Sequence, residues 1–408
     1  MILLVSLFGS INTNNSRISN IFHYTSNLAI NVVTSDFNHG SKRYKECIDN
    51  INNHYLHVPA YKKNISIERI YSHIVFAYRL KRFLNSLQEI PTVIYCAMPT
   101  STAAYVCGKY CKKHGVKFVI DVIDLWPDSL MPIVVGIKNR LLNLFIFPWK
   151  YITIQSYKMA DVILGESKQY ANEAAFYNHR APIYPLYLGV DKKEVKKLVA
   201  ESKLTLNKPN EERWIGYAGS LGTSYDFESL IKGVAVLNGK YQYKLFFIGD
   251  GVCRAKIENL INQYSVNAEI TGFMEYGDLL KYLANCDIAV NIFRDKTKVV
   301  HSYKFNDYVA TNCFILNSLP GETADMIDRY KVGLNFDFKD NTLEFKFYQL
   351  SKDGVEKIKK SIENNCEIFD INSRLNNGSL DGCGNEFWFA NKKRNRQILA
   401  WNIDDSID

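Results

Sequence analysis

The sequence lacks any apolar run long enough to cross a membrane, since no stretch reaches the roughly 18–20 uninterrupted apolar residues that a spanning helix needs. A clear signal peptide is missing as well. The opening MILLVSLFGS has no basic residues before its short apolar run and no clean small-residue cleavage site after it. Residues 2–7 are therefore predicted to form a first buried strand.

Paired cysteine spacing is also missing, although the chain contains nine cysteines. Cys107 and Cys111 lie four positions apart and no matching pair lies elsewhere, which argues against a zinc site. Scattered cysteines of this kind predict reduced, buried thiols in a cytoplasmic protein.

The chain has 408 residues, of which 47% are hydrophobic and 23% are charged. This composition is typical of a globular protein rather than a disordered one. At roughly 100–200 residues per domain, the length predicts two domains.

Positive charge is concentrated in the first half of the chain. Residues 1–198 contain 24 Lys and Arg against 13 Asp and Glu, a net +11, whereas the remainder contains 26 against 29, a net −3. This asymmetry suggests an anionic partner for the N-terminal half: a membrane, a nucleic acid or a phosphorylated acceptor. No nucleic-acid recognition module is visible, so nucleic acid is not among the expected partners.

Short apolar runs alternate with longer helical patterns, and the alternation runs through the chain twice. In the first series we predict strands over 2–7, 31–34, 92–96, 117–121 and 162–165, with helices over 69–84 and 102–113. In the second we predict strands over 214–218, 244–248, 269–271, 288–291 and 313–316, with helices over 226–236, 254–264, 278–286 and 304–311. Such alternation predicts an α/β fold built from two doubly wound, Rossmann-like parallel sheets.

The restart of the pattern sets the expected domain boundaries. We predict an N-terminal domain over 1–186, a polar linker over 187–212 and a C-terminal domain over 213–350. Residues 351–408 are expected to form a C-terminal helical segment, and whether it crosses back to the N-terminal domain stays open.

Ligands of open parallel sheets bind beyond the carboxyl ends of the strands, so the loops there hold the candidate residues. In the sequence Gly219-Ser220-Leu221-Gly222, glycines between a strand and a helix let backbone N–H groups approach a phosphate. A tight turn that any such fold requires is the equally weighted alternative. In Gly249-Asp250-Gly251, the spacing does not match the dinucleotide-binding pattern, and Arg254 follows in the first turn of a helix.

Lys304, Asp307 and Tyr308 are spaced to share one face near a helix start. A lysine there can pair with a diphosphate, and a carboxylate one turn later can accept hydrogen bonds from ribose. An ordinary surface salt bridge is the alternative. In the N-terminal half, the sequence Asp124-Leu125-Trp126-Pro127-Asp128 ends a strand, where a carboxylate could orient an acceptor hydroxyl or act as a base. Its Asp-x-x-Asp spacing shows no third metal ligand, and capping of the following turn by Asp128 is the structural alternative.

In combination, these segments resemble glycosyltransferase family 4, whose members have the GT-B fold of two Rossmann-like domains facing each other across a cleft. The resemblance extends from about residue 90 to 335. The full set of segments in this order is specific to the family, although no single segment is. Its segments are 188–191 (LGVD), 217–222 (YAGSLG), 248–251 (IGDG), 271–273 (TGF), 286–288 (CDI) and 304–310 (KFNDYVA). The sequence 124–128 (DLWPD), and 61–64 (YKKN) with the later Ser72-His73, is similar to motifs of members that build bacterial surface polysaccharides.

The resemblance implies a retaining transfer from a nucleotide sugar without an obligatory metal or other cofactor, with a UDP-sugar as the expected donor. By position, Gly219 and Gly222 would face the diphosphate, and Arg254 and Lys304 would neutralise it. Asp307 would bind ribose, and Phe273 with Met274 would line the base pocket. Asp124 is the N-domain residue expected to serve catalysis.

Three departures from the family pattern concern these assignments. Val299 stands where the family has a further glutamate, Asn312 replaces a helix-ending glycine, and Met98-Pro99-Thr100 replaces an N-domain histidine. Asparagine tolerates the left-handed conformation, so Asn312 is expected to end the helix all the same.

The resemblance implies a hexosyl- or N-acetylhexosaminyltransferase of capsule or O-antigen synthesis. Its acceptor would be a glycan or a polyprenyl-diphosphate-linked sugar at the inner face of the cell membrane. Residues 137–158, rich in Leu and Phe and flanked by Lys and Arg, predict a helix that is either packed in the core or docked on anionic lipid. A sugar-nucleotide epimerase of the same fold and a non-catalytic nucleotide-sugar-binding protein remain alternatives.

Overall fold

The computed structural model describes residues 1–9, 11, 17–24, 29–45, 52–64, 66–126, 138–187, 189–294, 299 and 302–336. They divide into two compact units, the first ending at Tyr187 and the second beginning at Leu188. The predicted C-terminal segment 351–408 lies outside the described residues, as do Pro127 and Asp128. Among the described helices, none combines the length and apolarity required to traverse a bilayer.

The first unit contains a parallel sheet whose described strands follow the order β5-β2-β1-β6-β7-β8-β9. Leu3 in the central strand pairs with Asn31 on one side and with Ile94 on the other. A short antiparallel hairpin of β3 and β4 stands beside this sheet. The strands are β1 (Ile2–Val5), β2 (Ile30–Ser35), β3 (Phe37–Asn38), β4 (Arg43–Tyr44), β5 (Asn53–Leu56), β6 (Val93–Ala97), β7 (Lys117–Val122), β8 (Val162–Gly165) and β9 (Ile183–Pro185).

Helices cover both faces of this sheet, and two apolar clusters form the core on its two sides. The first-unit helices are α1 (Arg17–Tyr24), α2 (Ile67–Ser86), α3 (Ser101–His114), α4 (Lys138–Met159) and α5 (Lys168–Ala175). Ser66 caps α2 by accepting from the Arg69 backbone N–H. Helix α4 spans the segment predicted from residues 137–158, and it continues through Pro148.

The second unit repeats the plan with a parallel sheet in the described order β12-β11-β10-β13-β14-β15. Its strands are β10 (Arg213–Ala218), β11 (Tyr243–Ile248), β12 (Ala268–Ile270), β13 (Ile288–Asn291), β14 (Phe314–Asn317) and β15 (Gly333–Asn335). Its helices are α6 (Lys192–Glu201), α7 (Phe227–Ala235), α8 (Arg254–Tyr264), α9 (Tyr276–Asn285), α10 (Tyr303–Ala310) and α11 (Glu322–Tyr330). Both sheets are all-parallel with apolar clusters on either side, so the predicted α/β fold with two Rossmann-like units is confirmed.

Helix α6 falls inside the segment predicted as a linker. Asp191 caps its first turn by accepting from the backbone N–H groups of Lys193 and Glu194. Val195 of this helix is buried together with Leu280 of α9 in a small apolar cluster. Part of the segment therefore packs as a helix of the second unit.

A buried ion pair fastens α1 to the first sheet. The Arg17 guanidinium donates to both carboxylate oxygens of Asp121 at the end of β7, and the Tyr95 hydroxyl donates to the same carboxylate. A further guanidinium nitrogen donates to the Leu186 carbonyl at 2.5 Å. Because all three side chains are buried, loss of one partner would leave a costly unpaired charge.

Candidate functional site

Two glycine-containing loops meet at the carboxyl ends of β10 and β11. The Gly219 N–H donates to the Ile248 carbonyl at 2.9 Å, and the Leu221 N–H donates to Asp250 at the same distance. Gly249 has a φ of +148°, and a Cβ added there would lie 2.1 Å from the Gly219 carbonyl oxygen. The close packing of the loops thus itself requires glycine, which agrees with the alternative that these glycines serve a tight turn.

Gly219 and Gly222 differ in what surrounds them. Gly219 has a φ of +117°, and a Cβ there would meet the Lys304 Cε at 2.8 Å. Around Gly222 the nearest side-chain atom to such a Cβ is 3.7 Å away, so this position has room. The structure therefore brings Gly219 and Lys304 together, as predicted for two groups facing one ligand.

Lys304 lies in the first turn of α10 within a group of aromatic rings. Its ammonium donates to the Tyr217 hydroxyl at 2.8 Å, and lies 3.5 Å from the Tyr225 ring centroid and 5.6 Å from that of Phe293. Burial lowers the pKa of Lys304 to about 6, because removal from water disfavours the charged form. An anion that enters the site would therefore stabilise the charged form of the Lys304 amine.

Asp307, one turn further along α10, is half-buried. The Tyr276 hydroxyl donates to its carboxylate at 2.6 Å. Burial raises the pKa of Asp307 to about 6, and the Tyr276 hydrogen bond opposes that rise. Within the described residues, Lys304 and Asp307 bond to separate tyrosines and not to each other, so the surface salt-bridge alternative is not formed.

Tyr308 lies one turn after Lys304 on α10. It is fully buried, and its hydroxyl accepts from the Ala218 N–H and donates to the Val290 carbonyl, both at 3.1 Å. Ala218 adjoins Gly219, against which Lys304 packs, so Tyr308 and Lys304 reach the same end of β10. Tyr308 thereby fixes α10 to the sheet.

Arg254 begins α8 beside the second glycine loop. Its side chain is exposed and donates to Glu258 at 2.9 Å and to Asp250 at 3.2 Å. The hydrogen bond to Glu258, with Asp250 nearby, raises the pKa of Arg254, since carboxylates favour the charged form. One guanidinium nitrogen lies 3.7 Å from where a Gly272 Cβ would be. The side chain therefore stands between the 249–251 and 271–274 loops.

Phe273 and Met274, predicted to line a base pocket, have different environments. The Phe273 side chain is 85% exposed, whereas Met274 is half-buried against the cluster that contains Trp214 and Phe246. Asn312 has a φ of +65°, so the expected left-handed conformation after α10 is confirmed. Val299, in place of the family's glutamate, is half-buried.

Asp124 lies in the first unit, half-buried after β7. Burial lowers the pKa of Arg69, and the negative charge of Asp124 partly opposes this lowering. Trp126 of the same motif is buried, with its ring centroid 5.7 Å from that of His73. The structure thus brings Trp126 next to His73, two residues that the sequence related only by resemblance.

Several residues of both sites carried no sequence signal. Tyr225 and Phe293 come from loops of separate strands, and Tyr276 from the start of α9; only the tertiary fold places them around Lys304 and Asp307. Arg69, on α2, was likewise not singled out. Its place three residues after the N-cap Ser66 was the available clue.

Part of the second unit matches a family of known proteins. Residues 199–291 match the family model of group 1 glycosyl transferases, which covers β10 to β13. A search of curated proteins by sequence finds no match. The second unit therefore carries the sequence signature of that family over residues 199–291.

Solved structures with the GT-B fold resemble almost the whole chain. Sucrose-phosphate synthase from Thermosynechococcus elongatus is 13% identical, with a TM-score of 0.65 over 90% of this chain and 94% of that one. HepE from Anabaena, solved in complex with UDP, is 12% identical, with a TM-score of 0.60 over 91% and 96%. A Listeria monocytogenes protein assigned as a UDP-N-acetylglucosamine 2-epimerase is 10% identical, with a TM-score of 0.54 over 88% and 91%. At these identities the likeness shows the fold.

Proposed function

We propose that the chain is a retaining glycosyltransferase that moves a sugar from a nucleotide diphosphate sugar to an acceptor. The observation that carries this proposal is the lysine at the start of α10, held against Gly219 within a ring of aromatic side chains. The match of residues 199–291 to group 1 glycosyl transferases supports it.

Lys304 would stabilise the diphosphate as it departs. A diphosphate oxygen near the ammonium favours its protonated form, which reverses the effect of burial on its pKa. The ammonium would then be a fixed cation aimed at charge that grows as the glycosidic bond breaks, and such preorganised electrostatics carry much of the rate in this kind of transfer. Arg254 would supply a second cation after exchanging its present carboxylate partners for the diphosphate.

Asp307 would accept hydrogen bonds from the ribose, in place of the one it now accepts from Tyr276. Gly219 and Gly222 would present backbone to the diphosphate. Loop 271–274 would hold the base, and Phe273, now largely exposed, is free to cover it. UDP is the proposed nucleotide, and the complex of the similar HepE structure with UDP supports that choice.

The proposed acceptor is a glycan or a polyprenyl-diphosphate-linked sugar of surface-polysaccharide synthesis, reached from the cytoplasmic side of an anionic membrane. Helix α2 supports the membrane contact, because its outer side exposes an apolar face, here called the α2 surface. Ile67 is 81% exposed and Tyr78 is 61% exposed on this face, between which lie Ile70, Tyr71 and Ile74. Exposed apolar faces of this extent mark interaction sites.

Basic residues accompany the α2 surface. Exposed cations stand just before the helix and along its second half: Lys62, Lys63, Arg79, Lys81 and Arg82. Each cation near an anionic surface contributes about 1 kcal/mol. Phe147 and Tyr151 of α4 are also exposed, whereas Trp149 is half-buried against Trp126. Side chains of 138–146, the most apolar part of the predicted docking segment, lie outside the described residues.

The decisive experiment incubates the purified protein with a panel of nucleotide sugars and follows nucleotide release with and without a lipid-linked acceptor. A glycosyltransferase releases nucleotide faster when acceptor is added and forms a glycosylated product. Acceptor-independent conversion of the sugar, with no transfer product, would instead identify an epimerase. Binding without either reaction would identify a non-catalytic nucleotide-sugar-binding protein.

A further inference from the structure

A second group of basic side chains lies at the carboxyl end of the first sheet, far along the chain from Lys304 and Arg254. It consists of His39, Lys42, Arg69 and His73, and is called here the N-unit basic cluster. These residues come from the β3–β4 turn and from α2, and the Trp126 ring after β7 closes the group. The donor chemistry proposed above uses none of them.

The two permanent cations of the cluster converge on one residue. Lys42 Nζ donates to the Asn64 side-chain oxygen at 2.6 Å, and an Arg69 guanidinium nitrogen donates to the Asn64 carbonyl at 2.7 Å. Lys42 also lies 3.3 Å from the His39 ring nitrogen. Burial and the neighbouring Arg69 charge both lower the pKa of Lys42. Like charges are held together here at a cost that a bound anion would remove.

Lys42 reaches this position from a strained backbone. Its φ of +57° is left-handed, which is uncommon for a lysine, and its N–H donates to the Asn38 carbonyl at 2.9 Å within the β3–β4 turn. Such outliers persist where the surroundings fix them, and they concentrate at ligand sites.

His73 supplies the independent observation. Its ring is wholly buried, and neither ring nitrogen has a hydrogen-bond partner in the part of the chain that the structure describes. The Nε of Arg69 and the indole nitrogens of Trp126 and Trp149 are buried without partners in the same sense. The two indole rings lie next to the His73 ring, and each has its centroid 5.7 Å from that of His73. Buried donors left unpaired are unfavourable, so their collection at one place indicates a missing ligand.

We propose that the N-unit basic cluster binds a phosphoryl group of the acceptor, with Lys42 and Arg69 as its charged partners and the His73 ring as a buried donor. This inference rests on the proposed function, since it names the acceptor's chemistry at the same enzyme. The fork of Arg69 suits the paired oxygens of a phosphoryl group. Asp124 is close enough to interact electrostatically with Arg69.

The phosphoryl group could belong to a lipid diphosphate or to a sugar phosphate, and two probes separate these sources. Binding of geranyl diphosphate, glucose 6-phosphate and the neutral methyl glucoside is measured by calorimetry on the full chain, with the donor site saturated by UDP. We expect at least one charged probe to bind and the neutral glucoside to bind far more weakly. The tighter of the two charged probes identifies the source.

Variants then locate the site. Arg69→Ala and Lys42→Ala should each weaken the charged probe by about tenfold or more, as expected for loss of a charge-assisted contact. Arg69→Lys should fall between wild type and Arg69→Ala, since it keeps the charge and loses the fork. The matched control is Arg180→Ala, an exposed arginine of the same unit that belongs neither to the cluster nor to the α2 surface, which should bind as wild type.

His73→Phe keeps the proposal testable if the arginine variant fails to fold. Removing unpaired buried nitrogens should leave thermal stability equal or higher, while weakening the charged probe. Charged probes that bind no better than the glucoside, or that bind equally well to wild type, Arg69→Ala and Lys42→Ala, would overturn the proposal. Failure of UDP to bind tells against the donor site instead, and the probe series can still be read without it.

Discussion

The Lys304 ammonium lies 3.5 Å from the centroid of the Tyr225 ring and 2.8 Å from the Tyr217 hydroxyl. A cation over aromatic faces is stabilised by their quadrupoles, yet burial here outweighs that attraction and lowers the pKa of the ammonium to about 6. The lysine is therefore mostly neutral near pH 7, and an approaching anion favours its charged form.

Lys304→Ala is expected to lower turnover by about 10²-fold or more while the fold survives, because it removes a preorganised charge beside the departing diphosphate. Arg254→Ala is expected to act in the same direction by the same order. Steady-state rates of nucleotide release measure both. Lys232→Ala, an exposed lysine on α7, should retain the wild-type rate. A folded variant that also keeps wild-type turnover would remove its residue from the mechanism.

Binding of a UDP-sugar should take up a proton between about pH 6 and pH 8. Below pH 6, Lys304 of the free protein is already charged. Above pH 6 its neutral amine must bind a proton before it can pair with the diphosphate. The affinity for the UDP-sugar therefore falls as the pH rises through this window. A nucleotide sugar is the proper ligand, since as a diester it lacks the second ionisation of a phosphate monoester near pH 6. Calorimetry in two buffers of different ionisation enthalpy counts the proton. Lys304→Met should abolish the uptake, and its persistence there would assign the proton to another group.

Asp307→Asn should raise the KM for the donor more than it lowers kcat. A ribose contact is made in the ground state and transition state alike, so its loss weakens binding uniformly. Initial rates over a range of donor concentrations separate the two constants. Asp325→Asn on α11, an exposed acid, serves as the control. An unchanged donor KM in Asp307→Asn would exclude it from the ribose site.

The protein should sediment with vesicles that contain anionic lipid at low salt, and less at high salt, because screening weakens surface charge interactions beyond about 10 Å at 0.1 M salt. Replacing Ile74 and Tyr78 of the α2 surface with Glu should keep the protein in the supernatant. Val252→Glu changes a more exposed apolar residue of the second unit and should leave sedimentation with the vesicles unchanged. If wild type remains in the supernatant under every condition, membrane docking is wrong and a soluble acceptor becomes the better proposal.

Gly249→Ala should destabilise the protein by roughly 2–4 kcal/mol, since the new Cβ combines an unfavourable backbone conformation with contact against the Gly219 carbonyl oxygen. Gly239→Ala is the matched control: its φ is +69°, nothing lies within 4 Å of its Cβ, and about 1 kcal/mol of strain is expected. Denaturant unfolding measures both. Equal losses would mean that the close approach of the two loops contributes nothing.

Most of the fold was predictable because its central strands are apolar runs. The strands Val162–Gly165 and Ile288–Asn291 and the helix Arg254–Tyr264 match the predicted bounds, and the other predicted elements differ by one or two residues at an end. The missed strands β5, β9 and β15 stand at sheet edges and are three or four residues long, with polar or proline residues that carry no periodicity. Each of these edge strands is held by pairing with one neighbouring strand, and the sequence does not reveal which strand that is.

The candidate site was predictable only where backbone geometry fixes it. Gly219 and Lys304 follow from the loop and helix starts that any doubly wound sheet presents at its carboxyl end. The environment of Lys304 could not be derived, because Tyr225 and Phe293 reach it from different loops. For the same reason its lowered pKa, which depends on burial by those rings, had no counterpart in the sequence.

The inward anchoring of Tyr308 has a consequence for directed evolution of the donor preference. Its two hydrogen bonds to Ala218 and Val290 hold α10 from the buried side, so the exposed position 303 can be randomised without loosening the helix. Substitutions away from buried contacts commonly change stability by about 0.5 kcal/mol or less. A library at position 303 should therefore yield mostly folded variants, whereas one that includes Tyr308 should yield few.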